Sequence, residues 1–279
     1  MSSGSLSFRA SAETEEQLEA LLESERIDII YIDAGWFDPG DLVRLSDRVH
    51  EAGKGIGLRL PAIFRSRDER YMDEHLSEIR DAGLDLMLHR SLESLGYMRD
   101  RGLEIPFMLD HQVYDMNGYT EQVLAELCGT EDFDICLPLE LSFAELRELC
   151  RAGRKQESQG HERLRELVVY GYAPMMVSAQ CIRATEQGCD GVSGTRFITD
   201  RTGRRLPVRN CCRSCSNTIY NSVPTKLYDM EKELASIEHG SRRYEFTLES
   251  GDEVRAILSD RKLFEANGFT RGWSRKGVM

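Results

Sequence analysis

Short apolar runs recur along the first 170 residues, separated by segments with helical periodicity. The runs fall at residues 7–10, 27–32, 57–61, 84–88, 105–109, 133–137 and 167–170. Most are apolar at consecutive positions, as strands covered on both faces are. Asp38 and Pro39 offer an N-cap and a first-turn proline, and Leu42, Leu45 and Val49 follow on one helix face. The stretches SRDE from Ser66 and SFAE from Ser142 read as capping boxes. Gly53, Gly83 and Gly102 fall where a helix should stop before the next strand. Seven strand–helix units in series predict an α/β protein with a parallel sheet. Their number favours a TIM-like (β/α) barrel, irregular or incomplete, over an open doubly wound sheet.

The rhythm breaks after residue 170. Residues 171–225 are rich in Gly, Arg, Cys and Pro and show no helix period. A helix is expected at 225–237, and residues 244–248 alternate like a strand. The division expected is a barrel over 5–180, a Cys/Arg-rich extension over 181–225 packed on it, and a C-terminal helix, strand and basic tail over 226–279. The polar stretch 152–163 reads as a surface loop.

Composition narrows the class. With 36 Lys+Arg against 48 Asp+Glu the formal charge is −12, which argues against a generic nucleic-acid or anionic-membrane surface but not against a local basic patch. No apolar run approaches the length of a membrane span, and the first residues lack a signal core, so a cytoplasmic chain is expected. In that setting eight cysteines suggest metal or redox chemistry before disulfides.

Five of those cysteines lie between positions 181 and 215: Cys181, Cys189, Cys211, Cys212 and Cys215. Cys128, Cys136 and Cys150 fall in helix or strand patterns and read as small buried apolar residues. Four clustered thiolates can hold a [4Fe–4S] cluster or a structural zinc. Cys212 and Cys215 make a CxxC pair, whereas seven residues separate Cys181 from Cys189. Zinc ribbons prefer two short hooks, so the spacing leans towards a cluster and leaves zinc open. Consecutive side chains point in different directions, so Cys211 is the alternative to Cys212 and not its partner.

Arginine is concentrated in the same segment. Arg196, Arg201, Arg204, Arg205, Arg209 and Arg213 share eighteen residues with one acid, Asp200. Arg196, Arg201 and Arg205 are candidates to hold a phosphate or carboxylate; the competing reading is a solvated hairpin paired with the acidic surface. Asp110, His111 and Glu140 follow apolar runs, which in a barrel places them on the catalytic face. For any one acid there, capping the next helix is the safer expectation.

Residues 166–181, ELVVYGYAPMMVSAQC, resemble the core of the peptidase U32 family, the collagenase-like protease family. Asp110 with Asn117, the stretch LPLELS from Leu137, DRTG from Asp200 with LPV from Leu206, and IYNSVP from Ile219 resemble further family segments. The tail TRGWSRKGV is similar to the approach to a β-domain in longer members, so the chain is expected to be a short member or the later half of a long one. The resemblance implies a TIM-like barrel and a cysteine-ligated iron–sulfur cluster, with Cys181, Cys189, Cys212 and Cys215 as ligands by position. It implies either peptidase activity or oxygen-independent hydroxylation of RNA bases or a small aromatic substrate. Partners would be RNA or peptide, or a second U32-family chain. One departure stands out: Tyr170 precedes Gly171 where the family signature has a histidine, and the next cysteine comes ten residues after the glycine. A metal-bound thiolate is not free to attack a peptide, and no other nucleophile–base pair is visible, so cluster-dependent modification is expected over proteolysis. A third reading is a non-catalytic partner module with a structural zinc.

Overall fold

The computed structural model describes residues 6–155, 157, 162–259 and 268–276. The first seven strands are β1 (Ser7–Ala12), β2 (Ile29–Asp33), β3 (Gly55–Arg59), β4 (Leu86–His89), β5 (Phe107–Leu109), β6 (Asp134–Cys136) and β7 (Arg165–Gly171). Each expected apolar run carries one of them, shifted by at most a few residues. After β7 come β8 (Pro174–Ser178), β9 (Gly194–Thr199), β10 (Arg205–Cys211), β11 (Ser216–Tyr220), β12 (Thr225–Lys226) and β13 (Ser241–Glu245). Strand β13 lies parallel between β7 and β1, and β6 pairs in parallel with β7. The ring β1 to β7 plus β13 is therefore a closed barrel of eight parallel strands with flanking helices, a TIM-like α/β barrel.

Local chemistry sets the helix ends. Ser142 caps the helix Phe143–Arg154 while Glu145 accepts the Ser142 N–H at 2.7 Å, a complete capping box. The box expected at Ser66 does not form: Arg65 is the N-cap, the Asp68 carboxylate accepts its N–H at 2.9 Å, and an arginine side chain has no acceptor to complete the box. Gly53, Gly83 and Gly102 end their helices with φ of 72°, 62° and 60°. Most outward strand residues, such as Ile30, Ile56 and Met87, are buried beneath the helices in the main apolar cluster. Among the described residues, no helix is long and apolar enough to cross a membrane.

The segment after β7 forms a second sheet, antiparallel, in the order β8-β11-β10-β9. The helix expected at 225–237 is instead the short strand β12, paired with β7, followed by the short helix Glu231–Leu234. Thr225 and Lys226 cannot join a helix because their backbone bonds β7 and residue 270. The alternation read at 244–248 belongs to β13 and its extension. Tyr244 and Phe246 pack in the outer core, whereas Arg243 and Glu245 face the barrel interior. The helix Gly251–Leu258 then packs on the helix Glu15–Leu22. Residues 241–258 thus supply the eighth strand–helix unit. Of the polar loop at 152–163, residues 156 and 158–161 lie outside the described residues, as do 277–279 of the tail.

Candidate active site

Inward-facing strand positions carry charge where most TIM barrels carry aliphatic side chains. Deep in the barrel, Arg9 donates to the Tyr31 hydroxyl at 2.9 Å, and Tyr31 reaches Glu166 at 3.3 Å. Arg243, fully buried, pairs with Glu166 at 3.0 Å and donates to Asp110. Nearer the C-terminal ends of the strands, Arg59 binds Asp33 at 2.8 Å, Glu13 at 2.8 Å and Glu245 at 2.6 Å. These groups come from β1, β2, β3, β5, β7 and β13, so the ring exists only when the barrel is closed. Burial opposes ionisation of Asp110, but Arg243 and His111 outweigh it and hold its carboxyl below the usual range. Burial also opposes the His111 imidazolium, but Asp110 and Glu245 outweigh it and raise its pKa.

Glycine permits the closest approach at the mouth. Gly171 ends β7 with φ +147°, and a Cβ there would stand 2.7 Å from the Glu245 carbonyl oxygen. Any side chain would push β13 and Glu245 away.

Two cavities open above this ring. One, of about 640 Å³, is lined by Glu140, Tyr172, Arg204, Glu245 and Trp273 among others. The other, of about 270 Å³, is lined by Arg90, His111, Gln112 and Met176 among others. They share Tyr114, Leu139, Glu140, Pro174 and Met175, so they form one cleft roofed by β8. Glu140 lines both cavities, and one of its carboxylate oxygens is buried without a hydrogen-bond partner. Tyr114 stands at its lip with φ 60° and ψ 57°, a left-handed conformation that is uncommon for a tyrosine.

The second sheet is pinned across the mouth. Arg209 of β10 binds Glu13 at 2.7 Å and stacks on Trp36 with its guanidinium carbon 3.6 Å from the ring centre. The turn between β10 and β11 docks on the loops after β2 and β3. Arg65 and Arg67 donate to the carbonyls of Ser214 and Arg213, and Arg213 donates to those of Ala34 and Phe37. Cys211 turns towards the barrel, its sulfur 3.1 Å from the Gly35 carbonyl.

Cys212 lies in the turn beyond β10, where its N–H donates to the Ser193 hydroxyl at 2.9 Å. Burial raises its thiol pKa, and the thiols of Cys189, Cys181 and Cys211, in electrostatic reach, raise it further. Asn217 ties the two cysteine segments together, donating to the Gln180 carbonyl and accepting from the Ile182 N–H at 3.4 Å. Cys215 closes the CxxC turn with φ 48°, its N–H bonded to the Cys212 carbonyl at 3.2 Å. Among the described residues, no three cysteine sulfurs lie within 4.8 Å of one another. Four thiolates on one zinc at about 2.3 Å would be about 3.8 Å apart, so the thiols as placed are too widely spread for a tetrahedral zinc.

A model of peptidase family U32 matches residues 32–256. The chain belongs to peptidase family U32. No curated protein matches it. Among solved structures it is similar to an uncharacterized B. cereus protein, at 9% identity and a TM-score of 0.49, covering 91% of this chain and 65% of that one. It is also similar to the 3-dehydroquinate dehydratase from Aquifex aeolicus VF5, at 13% identity and a TM-score of 0.37, covering 57% of this chain and 77% of that one. For the muconate cycloisomerase from Pseudomonas fluorescens the values are 14% and 0.42, covering 60% of this chain and 47% of that one. This chain therefore spans under two thirds of the length of the B. cereus protein.

The U32 segments converge on the mouth. Asp110 directly follows β5, Glu140 lies in the loop after β6, Gly171 abuts Glu245, and the Cys212–Cys215 turn lies on the rim. Of the arginines singled out in the sequence, Arg205 stacks on the exposed Phe197 at 4.3 Å, Arg201 is exposed, and Arg196 is half-buried in β9. The arginines at the mouth are instead Arg59, Arg90, Arg204 and Arg209, with Arg243 deeper in the barrel. Sequence reading passed over Arg59, Arg243 and Glu245. The available signal was a charged residue inside or at the end of an apolar strand, as in GIGLR and SRRYE. Cys136 and Cys150 are fully buried and Cys128 is half-buried, and burial pushes the Cys150 and Cys128 thiols up to about 11.

Proposed function

We propose that this U32 protein holds a [4Fe–4S] cluster on Cys181, Cys189, Cys212 and Cys215 and modifies an aromatic ring, free or as an RNA base, by oxygen-independent hydroxylation. The observation that carries the reading is the position of Cys212. Its thiol lies within electrostatic reach of the Cys189 and Cys181 thiols in a hairpin pinned over the cleft, while the sulfur of its neighbour Cys211 stands 3.1 Å from the Gly35 carbonyl. A soft cation would relieve the resistance of the Cys212 thiol to ionising. A bound cluster would supply single electrons to the cleft. The chain's own residues supply the rest. Tyr172 and Trp273 line a cavity large enough for a ring. Arg90 spends Nε on the Leu60 carbonyl and faces Asp33 at 3.4 Å, and it is placed to hold the carboxylate of a small oxygen donor beside His111. Glu140, which lines the cleft and keeps one oxygen unpartnered, would move a proton. Arg201 and Arg205, exposed on the second sheet beside Phe197, would meet an RNA phosphate.

The test is anaerobic purification of the intact chain. Brown protein with about four irons per chain, lost in Cys181→Ala, Cys212→Ala and Cys215→Ala but kept in Cys211→Ala, is the expected result. One zinc and no colour would replace this reading with a structural metal. Cleavage of unfolded collagen-like peptides that survives removal of iron would replace it with proteolysis.

A further inference from the structure

Within the charged ring, Asp110, His111 and Glu245 form a group that the ion pairs do not explain. One ligand atom from each lies within 4.8 Å of the other two, and all three residues are buried. His111 Nε2 stands 3.6 Å from Glu245 Oε2 and 3.9 Å from Asp110 Oδ1. Both distances are too long for a hydrogen bond. His111 Nε2 has no hydrogen-bond partner, although His111 is only 3% exposed, and the second Asp110 oxygen is also buried and unpartnered. A buried polar atom left unmatched is costly, so a site that keeps two of them calls for a partner. Metal–ligand bonds of about 2.1 Å put adjacent donors about 3.0 to 3.5 Å apart, so a small closure of this triangle would fit one ion.

We propose that Asp110, His111 and Glu245 bind a divalent first-row transition ion, separate from the cysteine centre. One imidazole with two carboxylates suits Mn²⁺, Fe²⁺ or Zn²⁺ better than the all-oxygen preference of Ca²⁺. The supports that orient metal ligands are in place. Asp110 accepts from Arg243 and from the His111 N–H at 2.8 Å, and Glu245 accepts from Arg59 at 2.6 Å. Those arginines each use one carboxylate oxygen and leave the other for the ion. Arg243, 4.0 Å from Glu245 Oε2, also repels the ion and keeps its binding below that of a site without cations. Three protein ligands leave coordination positions open, as in catalytic sites. His111 and Glu245 line the cleft, so those positions would take a carbonyl or carboxylate oxygen of a small substrate and polarise it.

The experiment uses the full chain, stripped with a chelator and titrated with Mn²⁺ while the electron paramagnetic resonance of free Mn²⁺ is followed. Uptake of one ion per chain is expected, equally in Cys212→Ser, which fails to hold the cysteine centre if that reading is right. Pulsed resonance on the bound ion should show coupling to one imidazole nitrogen in the unsubstituted protein, a readout that needs no variant. His111→Gln should lose that coupling, and Glu245→Gln should bind at least tenfold more weakly. Absence of uptake, or uptake without nitrogen coupling, overturns the site. Uptake that disappears only in the cysteine variant assigns the ion to the other centre and also overturns it.

Discussion

Arg59→Met tests whether charge closure holds the barrel interior. Arg59 is fully buried and its three nitrogens serve three carboxylates, those of Asp33, Glu13 and Glu245. Methionine keeps most of the aliphatic stem and fills irregular gaps, so the cavity contribution is small. What is lost is the cation common to three buried anions. Removing one partner of a buried ionic group costs about 3 to 5 kcal/mol, because the remaining charges stay desolvated. Arg209 still holds Glu13 at 2.7 Å and Arg90 stands 3.4 Å from Asp33, which places the expected loss in the lower half of that range. An unfolding entropy of about 2.1 cal/mol/K per residue gives about 0.6 kcal/mol/K over 279 residues, so the melting temperature should fall by about 5 to 7 °C. Thermal and urea unfolding measure this directly. Adding Glu13→Gln to Arg59→Met removes one of the stranded carboxylates, so the double variant should lose less than the two single losses added together. A loss under about 1 kcal/mol, with additive effects in the double variant, would refute the argument and mean that packing alone holds the interior.

Three further outcomes follow from local geometry. Gly35→Ala sets a Cβ 2.9 Å from the Cys211 sulfur and 3.0 Å from Asp33 Oδ1; it should cost about 1 to 3 kcal/mol and speed alkylation of Cys211, and an unchanged rate would mean the turn does not dock there. Burial and then Glu121 push the Asp115 carboxyl up to about 7, against Arg165 and Arg163, and both its oxygens are buried without partners. Between its unfolded pKa of about 4 and that value the unfolded chain gives up a proton that the folded chain keeps, so this group removes stability as pH rises through the window and no more above it. Asp115→Asn should abolish that slope and stabilise the protein at pH 8 by up to about 4 kcal/mol, and urea midpoints that run parallel for the two proteins from pH 5 to 8 would contradict this. Asn217→Ala removes the link between residues 180–182 and the CxxC hairpin, at about 1 to 3 kcal/mol for the groups left unpaired; bound iron should fall with it, and full iron retention would show that the two segments are held independently.

The chain's own pattern was enough for the architecture of its first seven strand–helix units. Strands buried on both faces must be apolar throughout, and helices must start and stop at capping residues, so both leave local marks, as at Ser142 and Gly83. The CxxC spacing of Cys212 and Cys215 is likewise a local mark. What only the tertiary structure decided is the interior of the barrel and the orientation of the hairpin. Arg59, Arg243, Asp110 and Glu245 lie far apart in sequence, and each alone looks like a stray charge at the edge of an apolar run. They become one ring because barrel closure places β13 against β1 and β7, across an insertion that interrupts the rhythm. That the Cys211 sulfur meets the Gly35 carbonyl depends on how Arg209, Arg213 and Glu13 dock the second sheet. Burial patterns travel with the chain; charge partners across a closed sheet do not, because pairing is a property of distance in space.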